Sequence, residues 1–197
     1  MIQVHTLSLG TMDNLIYIIG DAITKQATVI DPAWDANAIQ SILDEQGYEL
    51  SFILLTHGHF DHTNALEPLL NGRSLPVYLS NQELDSLTPD VSSLVLTEDN
   101  FKIPFGERHI HCIQTPGHTP GGQCFILDQH LFTGDSLFIN GCGRCDLQGS
   151  DPVAMWQSLL RLKELPDDLI VYPGHDYADK PTSTLGHEKE HNRFLSC

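Results

Sequence analysis

The pattern of apolar positions in the first part of the chain predicts a β-sheet that begins with antiparallel strands. Three β-rich runs occupy 2–9, 14–19 and 27–30, and Gly10-Thr11 and Gly20-Asp21 mark turns between them. Short loops of this kind join neighbouring antiparallel strands. We therefore expect the first three strands to lie side by side.

A helical pattern follows these strands. Apolar residues recur at 38, 39, 42 and 43 within 36–46, and Gly47 marks the end of the helix. Further helices are predicted at 64–70, 82–87, 152–165 and 184–195, a loop at 89–100, and further strands at 50–56, 77–79, 101–103, 108–114, 123–127, 130–133 and 169–172. Two groups of strands, each followed by helices, indicate two sheets packed face to face with helices outside. No linker or repeat divides the chain, so we expect a mixed α/β fold in a single domain over 1–197.

Composition narrows the classes of partner. The 197 residues are 41% hydrophobic, which is enough for a sizeable core, and carry a formal net charge of −16. Such an acidic protein is a poor match for nucleic acid or an anionic membrane surface. No basic segment followed by an apolar stretch opens the chain, and no apolar run approaches the length of a membrane span. We expect a cytoplasmic protein that acts on a small molecule; the pattern carries no indication of its oligomeric state.

The cysteines do not indicate a secreted disulfide framework. There are five, an odd number, and they include Cys197 at the end of the chain. Cys142 and Cys145 form a C-x-x-C, which is either a redox pair, half of a zinc site or part of a turn. No second C-x-x-C completes a zinc site, and the surrounding glycines favour the structural interpretation.

The densest chemical feature lies directly after the predicted strand 50–56. Residues 56–62 read Thr-His-Gly-His-Phe-Asp-His, which places His57, His59, Asp61 and His62 within six positions. Imidazole is the commonest metal ligand, and a nearby carboxylate favours a hard or borderline divalent ion. Without a cation, these polar groups would be left unsatisfied near the core. This segment therefore predicts a metal site.

Three more loops offer ligand-type residues at the ends of predicted strands. They are Thr-Pro-Gly-His-Thr-Pro-Gly at 115–121 with His118, Gly134-Asp135, and Pro-Gly-His-Asp at 173–176 with His175. Together with the first cluster they give seven candidate ligands, too many for one tetrahedral zinc. The number suits two ions that share Asp135, since a carboxylate has two oxygens with which to bridge.

This ordered set of motifs resembles the metallo-β-lactamase superfamily. The resemblance implies a four-layer αββα sandwich with the site at one edge of the sheets. It implies that His57, His59 and His118 hold a first ion, that Asp61, His62 and His175 hold a second, and that Asp135 bridges them. It further implies two Zn(II) ions and an attacking hydroxide between them, with Asp61 and Asp135 as catalytic groups.

Several segments are more similar to one branch, the glyoxalase II enzymes that hydrolyse acylglutathione thioesters. They are Asp13-Asn14, Thr-Pro-Gly-His-Thr-Pro-Gly, Phe-Thr-Gly-Asp at 132–135, Gly-Cys-Gly-Arg at 141–144 and Gly-His-Asp-Tyr at 174–177. By that resemblance Arg144 and Tyr177 contact the glutathione part of the substrate. The C-terminal helical domain of full-length glyoxalase II has no counterpart in this sequence, so the basic residues it supplies are not carried over.

Other interpretations stay open. Gly141 to Gln148 is also similar to persulfide dioxygenases, which would use one Fe(II) held at His57, His118 and Asp135. Asp151-Pro152 and the segment 172–177 resemble stand-alone thioester hydrolases of polyketide pathways. A protein that binds metal as a scaffold, without catalysis, is a third possible function. Hydrolysis of β-lactams is disfavoured because no export signal is seen.

Two further residues carry alternative interpretations. Asp31, at the end of a predicted strand, is either an acceptor that orients a ligating imidazole or a turn former. Trp34 either lines the mouth of the pocket or packs against the core, and packing is favoured.

Overall fold

Two six-stranded sheets dominate the computed structural model, which describes residues 1–196 and leaves Cys197 outside the described part. The first sheet follows the chain order, with β1 to β3 antiparallel and β3 to β6 parallel. Its strands are β1 (Ile2–Leu9), β2 (Asn14–Asp21), β3 (Gln26–Ile30), β4 (Glu49–Leu54), β5 (Val77–Ser80) and β6 (Leu94–Thr97). The predicted antiparallel start is confirmed.

The second sheet has the order β14-β13-β10-β9-β8-β7. Neighbouring strands in it are antiparallel except for the parallel pair β10 and β13. Its strands are β7 (Lys102–Phe105), β8 (Arg108–Gln114), β9 (Gln123–Leu127), β10 (His130–Gly134), β13 (Ile170–Pro173) and β14 (Ser183–Thr184). Between β10 and β13 in the chain, β11 (Leu137–Phe138) and β12 (Gly141–Cys142) form a small hairpin.

The helices begin and end where local chemistry favours it. They are α1 (Ala36–Gln46), α2 (Phe60–Thr63), α3 (Leu66–Leu70), α4 (Pro152–Lys163) and α5 (Leu185–His191). The side chain of Asp151 accepts hydrogen bonds from two backbone N–H groups at the start of α4, where Pro152 occupies the first turn. Gly47 adopts a left-handed conformation, with a φ of 62°, and ends α1 as predicted.

The apolar side chains define four layers. Tyr17, Phe52, Phe105, Phe125 and Phe132 belong to a cluster between the two sheets. A second cluster joins α1 and α3 to the outer face of the first sheet, and a third joins α4 and α5 to the second sheet. The order helix, sheet, sheet, helix confirms the expected αββα architecture. That 1–197 forms a single domain stays a prediction.

Some predicted elements were wrong in extent or kind. The helix predicted at 82–87 is a single 3-10 turn, Asn81–Glu83, and the loop predicted at 89–100 contains the edge strand β6. Only Thr97 of that strand is buried. Because the strand has no buried face, its sequence does not show the alternation of apolar and polar residues that identifies a strand. The last helix stops at His191, and the strands of the small hairpin and β14 were not predicted because each has two residues.

Across residues 1–196, none of the helices combines the length and the hydrophobicity needed to cross a bilayer.

Candidate metal centre

The four predicted metal-binding segments all follow the carboxyl ends of strands. Residues 56–62 follow β4, residues 115–121 follow β8, Asp135 follows β10, and His175 follows β13. Strands β8, β10 and β13 run in the same direction, so the loops after them meet at one edge of the sheet. This edge is where open sheets usually place their ligands.

The first group comprises His57, His59 and His118. Nδ1 of His59 lies 3.0 Å from Nε2 of His57 and 3.0 Å from Nε2 of His118. His57 and His118 are buried, and His59 is half-buried. Three ring nitrogens therefore converge from two loops that are about sixty residues apart in the chain.

The second group comprises Asp61, His62 and His175. The Nε2 atoms of the two imidazoles are 3.2 Å apart. Oδ2 of Asp61 lies 3.4 Å from Nε2 of His62 and 3.5 Å from Nε2 of His175. Each group has its ligand-type atoms within 4.8 Å of one another.

Asp135 lies between the two groups. Its Oδ2 is 3.4 Å from Nε2 of His118 in the first group and 3.4 Å from Nε2 of His175 in the second. Its Oδ1 is 3.4 Å from Nε2 of His62. The structure thus brings together all seven residues that the sequence selected, with the carboxylate in the position expected of a bridge.

Hydrogen bonds on the outer side of the rings decide which nitrogens face inward. Nδ1–H of His118 donates to the carbonyl oxygen of Arg144 at 2.8 Å, and Nδ1–H of His175 donates to that of Met12 at 2.7 Å. Carbonyl oxygens only accept, so both Nδ1 atoms must carry hydrogen. In the neutral tautomer, Nε2 of each ring then presents a lone pair to the centre.

The inward-facing atoms fit divalent cations. Nitrogen lone pairs about 3 Å apart repel each other unless a proton or a metal ion lies between them. Oδ1 of Asp135 is buried and has no hydrogen-bond partner, an uncompensated position for a carboxylate oxygen. Ligands about 2.0–2.1 Å from a tetrahedral ion are about 3.4 Å apart, close to the separations between the groups' atoms.

The electrostatics of the centre also favour bound cations. Burial and the neighbouring imidazoles hold the pKa of His57 well below its usual value. This ring is therefore neutral and offers a nitrogen lone pair to a metal ion. Burial also lowers the pKa of His62, but Asp135 and Asp31 outweigh it and raise that pKa to about 9. Although burial opposes ionisation of Asp135, the surrounding imidazoles lower its pKa far enough to keep it charged. A proton on His62 thus takes the place that a cation would occupy.

Asp31 orients ligands of both groups. Its Oδ2 accepts from Nδ1–H of His62 at 2.9 Å and from the hydroxyl of Thr56 at 2.6 Å, and that hydroxyl lies 2.9 Å from Nδ1 of His57. Asp31 also has a left-handed backbone, with a φ of 51°. Both interpretations of this residue were therefore correct, because it turns the chain and holds the imidazoles.

Glu83 joins the two loops of the first group and was missed by the sequence analysis. Its fully buried carboxylate accepts from the backbone N–H of Gly58 at 2.9 Å, from that of Gly121 at 2.6 Å and from the hydroxyl of Ser86 at 2.8 Å. Gly58 lies between His57 and His59. No local motif marks Glu83, because its partners are distant along the chain.

Asn14 and Trp34 support Asp61. The side-chain amide of Asn14 donates to Oδ2 of Asp61 at 2.9 Å and to its carbonyl oxygen at 3.0 Å, while the indole N–H of Trp34 donates to Oδ1 of Asn14 at 2.7 Å. Trp34 also packs edge-on against Phe60. The favoured packing role of Trp34 is thus joined by a hydrogen bond that fixes the Asn14 amide.

The two predicted substrate contacts lie at the mouth of the centre. Arg144 and Tyr177 line a cavity of about 470 Å³ that also exposes His59, Asp61 and Asp135. The guanidinium of Arg144 forms a two-pronged ion pair with Asp146, at 2.6 and 2.8 Å, and the ring of Tyr177 stacks on His175. Their contact with substrate stays a prediction.

The C-x-x-C residues are free thiols beside the centre. Cys142 lies in the small hairpin, both thiols are half-buried, and burial raises the pKa of each. Among residues 1–196, neither belongs to a cluster of three potential metal ligands. The arrangement agrees with a structural interpretation, and both residues line a cavity beside helix α4.

Comparisons with known proteins agree with this geometry. The family model of the metallo-beta-lactamase superfamily matches residues 9–175. A protein named probable polyketide biosynthesis zinc-dependent hydrolase BaeB, from Bacillus velezensis, is 42% identical over 85% of this chain and 75% of its own length. A hydroxyacylglutathione hydrolase from Alkalilimnicola ehrlichii is 39% identical over 84% of this chain, which spans 62% of the length of that relative.

A solved structure shares the whole architecture. The crystal structure of ETHE1 from Myxococcus xanthus superposes with a TM-score of 0.88 at 30% identity, covering 98% of this chain and 85% of the other. The family match spans most of the chain, and the two relatives are 42% and 39% identical to it over the residues that they match. This chain therefore belongs to the metallo-beta-lactamase superfamily.

Proposed function

We propose that this protein is a hydrolase of thioesters that works with two divalent cations, which we take to be zinc. The observation that carries the proposal is the position of Asp135 between two groups of ligand-type side chains. A closed structural site would need only one such group. Two groups around a shared carboxylate, beside an open cavity, suit catalysis better.

The ligand roles follow the two groups. One ion would be held by His57, His59 and His118 and the other by Asp61, His62 and His175, with Asp135 available to both groups. When bound, such ions supply an activated water near neutral pH and polarise a substrate carbonyl.

The chain's own residues prepare the site for this chemistry. Asn14 fixes one oxygen of Asp61, which leaves that carboxylate aimed at the centre, where it orients the attacking water. The buried, ionised Asp135 supplies fixed negative charge that holds the cations. A departing thiolate needs no proton at pH 7 to leave readily, because the pKa of an ordinary thiol is only about 8.5.

Arg144 and Tyr177 are proposed to position the substrate. Both border the cavity, and the guanidinium of Arg144 already binds a carboxylate, that of Asp146. A substrate with a carboxylate or a phosphate on its thiol arm can replace Asp146 in that pair. The exposed face of Tyr177 offers an apolar surface and a hydroxyl at the same mouth.

The names of the relatives support thioesters as the substrate class. The hydroxyacylglutathione hydrolase acts, by its name, on an acylated thiol, and the BaeB protein is named as a zinc-dependent hydrolase of polyketide biosynthesis. In this sequence, the segment 141–144 and the His-Asp-Tyr at 175–177 resemble the corresponding segments of glyoxalase II enzymes, which hydrolyse thioesters.

A metal analysis coupled to a substrate panel tests the proposal. Purified protein should contain about two zinc ions per chain and hydrolyse at least one of S-lactoylglutathione, an acyl-CoA and an acyl-carrier-protein thioester, but not a β-lactam. Asp135→Ala should lose bound metal and lower kcat/KM by more than the roughly 10–100-fold typical of residues around a ligand. Asp44→Ala, on the exposed face of α1, is the matched control and should change neither.

Other outcomes point to the other functions. About one iron per chain with oxygen-dependent turnover of a persulfide would indicate the dioxygenase. Two bound metal ions with no turnover of any thioester would indicate a scaffold. An unchanged rate in Asp135→Ala would reject the assignment of the centre.

A further inference from the structure

A second cavity opens beside the metal centre and is lined mainly by apolar side chains. It has a volume of about 530 Å³ and lies between the segment 142–145, helix α4 and the residues Arg193 and Phe194. Ligand pockets in proteins usually measure about 300–1,000 Å³. The α4 cavity, as we name it, is therefore large enough to hold a substantial part of a substrate.

The α4 cavity adjoins the metal cavity. Cys142 and Arg144 line both, so the two spaces meet along the segment that carries these residues. Arg144 also accepts the hydrogen bond from His118 through its carbonyl oxygen. A substrate whose reacting carbonyl lies at the centre can therefore extend past this segment into the second space.

Helix α4 is held firmly against the loop that carries His118. The hydroxyl of Ser158 donates to the carbonyl oxygen of Pro116 at 2.7 Å, and the backbone N–H of Asp151 donates to that of Gly117 at 2.8 Å. A Cβ on Gly117 would clash with the backbone of Met155, so helix and loop are in direct contact. The wall of the α4 cavity thus has a fixed position relative to the reacting centre.

The lining of the α4 cavity suits a hydrocarbon chain. Met155 and Leu159 form its buried side, while Trp156 and Phe194 lie at its opening and are 56% and 37% exposed. Large apolar surface left in water at the mouth of an apolar cavity is characteristic of a ligand site. An alkyl chain would cover these four apolar side chains without losing hydrogen bonds to water, and the two arginines of the lining, Arg144 and Arg193, would stay at its border.

A third cavity, of about 500 Å³, offers the polar half of a thioester a more polar place. It meets the metal cavity at Phe138 and Tyr177, borders the α4 cavity along Arg193 and Phe194, and is lined on its far side by Asn140 and Asp179. Polar side chains along its wall can replace the hydrogen bonds that the amides of a thiol arm make with water. The two spaces beside the centre therefore differ in polarity, as do the two halves of an acyl thioester.

We infer that the α4 cavity binds the acyl chain of the substrate, so that the protein prefers thioesters with an extended apolar acyl group over small hydroxyacyl ones. This inference rests on the proposed hydrolysis of thioesters and names the class of acyl group. Each added methylene that enters the cavity should raise kcat/KM by up to about fourfold, until the space is filled.

Two substrates with the long chain on opposite sides of the thioester test which half enters the cavity. S-decanoyl-N-acetylcysteamine carries its long chain on the acyl side, and S-decyl thioacetate carries it on the thiol side. Trp156→Ala truncates an exposed side chain that lines the α4 cavity and not the third cavity, so the variant should fold, which circular dichroism would verify. It should lower kcat/KM for the decanoyl substrate at least fivefold, and leave S-decyl thioacetate and S-acetyl-N-acetylcysteamine within twofold.

Val153→Ala is the matched control, since Val153 is an exposed apolar residue of α4 that does not line the cavity. It should leave all three substrates unchanged. A larger loss on S-decyl thioacetate than on the decanoyl substrate would overturn the assignment to the acyl half. Equal kcat/KM for acetyl and decanoyl substrates in the unmodified protein would overturn the inference while leaving thioester hydrolysis in place.

A binding measurement keeps the two proposals distinguishable if no thioester is hydrolysed. Calorimetry with the intact metal-loaded protein would compare the decyl and ethyl thioethers of N-acetylcysteamine, which cannot be hydrolysed. Tighter binding of the decyl compound by at least tenfold, reduced in Trp156→Ala but not in Val153→Ala, would support an apolar site even if the hydrolysis proposal failed. Equal binding of the two thioethers would reject the site.

Discussion

The carboxylate of Asp31 lies 2.9 Å from Nδ1 of His62 and accepts a hydrogen bond from that ring. The same Oδ2 atom accepts from Thr56, whose hydroxyl is in turn in contact with His57. His57 belongs to the first group of candidate ligands and His62 to the second. One buried charge therefore orients an imidazole in each group, so the geometries of the two groups are coupled.

Replacing Asp31 with asparagine should weaken metal binding at both groups. Asparagine tolerates the left-handed backbone at this position, so the substitution removes the charge without straining the chain. Loss of such an acceptor usually costs about 10–100-fold in metal affinity. Competition with a chelating dye would measure the affinity of each ion. Asp128→Asn is a matched control, because Asp128 also has a positive φ but lies far from the centre in an exposed pair with Arg108.

Replacing Glu83 with glutamine should instead affect the first group selectively. The amide would point an N–H group at a backbone N–H or at the Ser86 hydroxyl, and one of the loop contacts to Gly58 or Gly121 would be lost. We expect a loss of about 1–3 kcal/mol in the free energy of unfolding and weaker binding of one ion. Denaturant unfolding and metal stoichiometry check this result. Glu67→Gln, on an exposed residue that accepts from Asp90, should have little effect; metal loss equal at both groups in Glu83→Gln would contradict the selective role.

Removing the metal should destabilise the whole protein. Without a cation, Oδ1 of Asp135 is buried with no partner, and the ring nitrogens of His62 and His175 face each other at 3.2 Å. A ligand present at about 1,000 times its Kd stabilises the native state by about 4 kcal/mol. For a chain of this size we expect a chelator to lower Tm by about 8–16 °C. Differential scanning calorimetry with zinc restored would show the shift reversing, and the effect should vanish in Asp135→Ala.

The seven candidate ligands could be found from the sequence because each lies in a short motif directly after a predicted strand. Parallel strand ends meet at one edge, so the motifs predict a common site without knowledge of distances. Glu83 could not be found this way, since its partners Gly58 and Gly121 are 25 and 38 residues away and no spacing connects them. Asn14 was noticed only through a family resemblance; its bond to Asp61 depends on the first hairpin reaching the metal loop.

The architecture was predictable for a similar reason. Buried strands such as β4 are long apolar runs, and α1 has both a helical period and a glycine end, so their signals are local. The edge strand β6 has only one buried residue, and its pairing with β5 supplies the order that its own sequence does not. The division of apolar and polar space around the centre depends on how α4 packs against the His118 loop, which no local pattern encodes.

The ion pair between Asp99 and Arg161 gives a prediction about pH. The guanidinium bonds both oxygens of Asp99, at 2.7 and 2.9 Å, and joins the loop before β7 to helix α4. Partial burial acts to raise the pKa of Asp99, but the hydrogen bonds from Arg161 and from the backbone of Gln114 outweigh it and leave that pKa lowered. Because the folded pKa lies below the unfolded one, the pair stabilises the protein above about pH 4 and loses its effect as the pH falls through the folded value.

Asp99→Asn should therefore lower the free energy of unfolding by about 0.5–1 kcal/mol at pH 7, a modest amount because both side chains are more than a third exposed. The difference from the unmodified protein should shrink steadily as the pH falls below about 4, where Asp99 becomes protonated first in the unfolded and then in the folded state. Urea unfolding at a series of pH values would measure this. Arg161→Gln should cost a similar amount at pH 7, and adding Asp99→Asn to it should cost little more, since the pair is already broken. Fully additive losses at pH 7, or a gap that does not shrink at any pH below about 4, would show that the two side chains stabilise the fold independently of their charges.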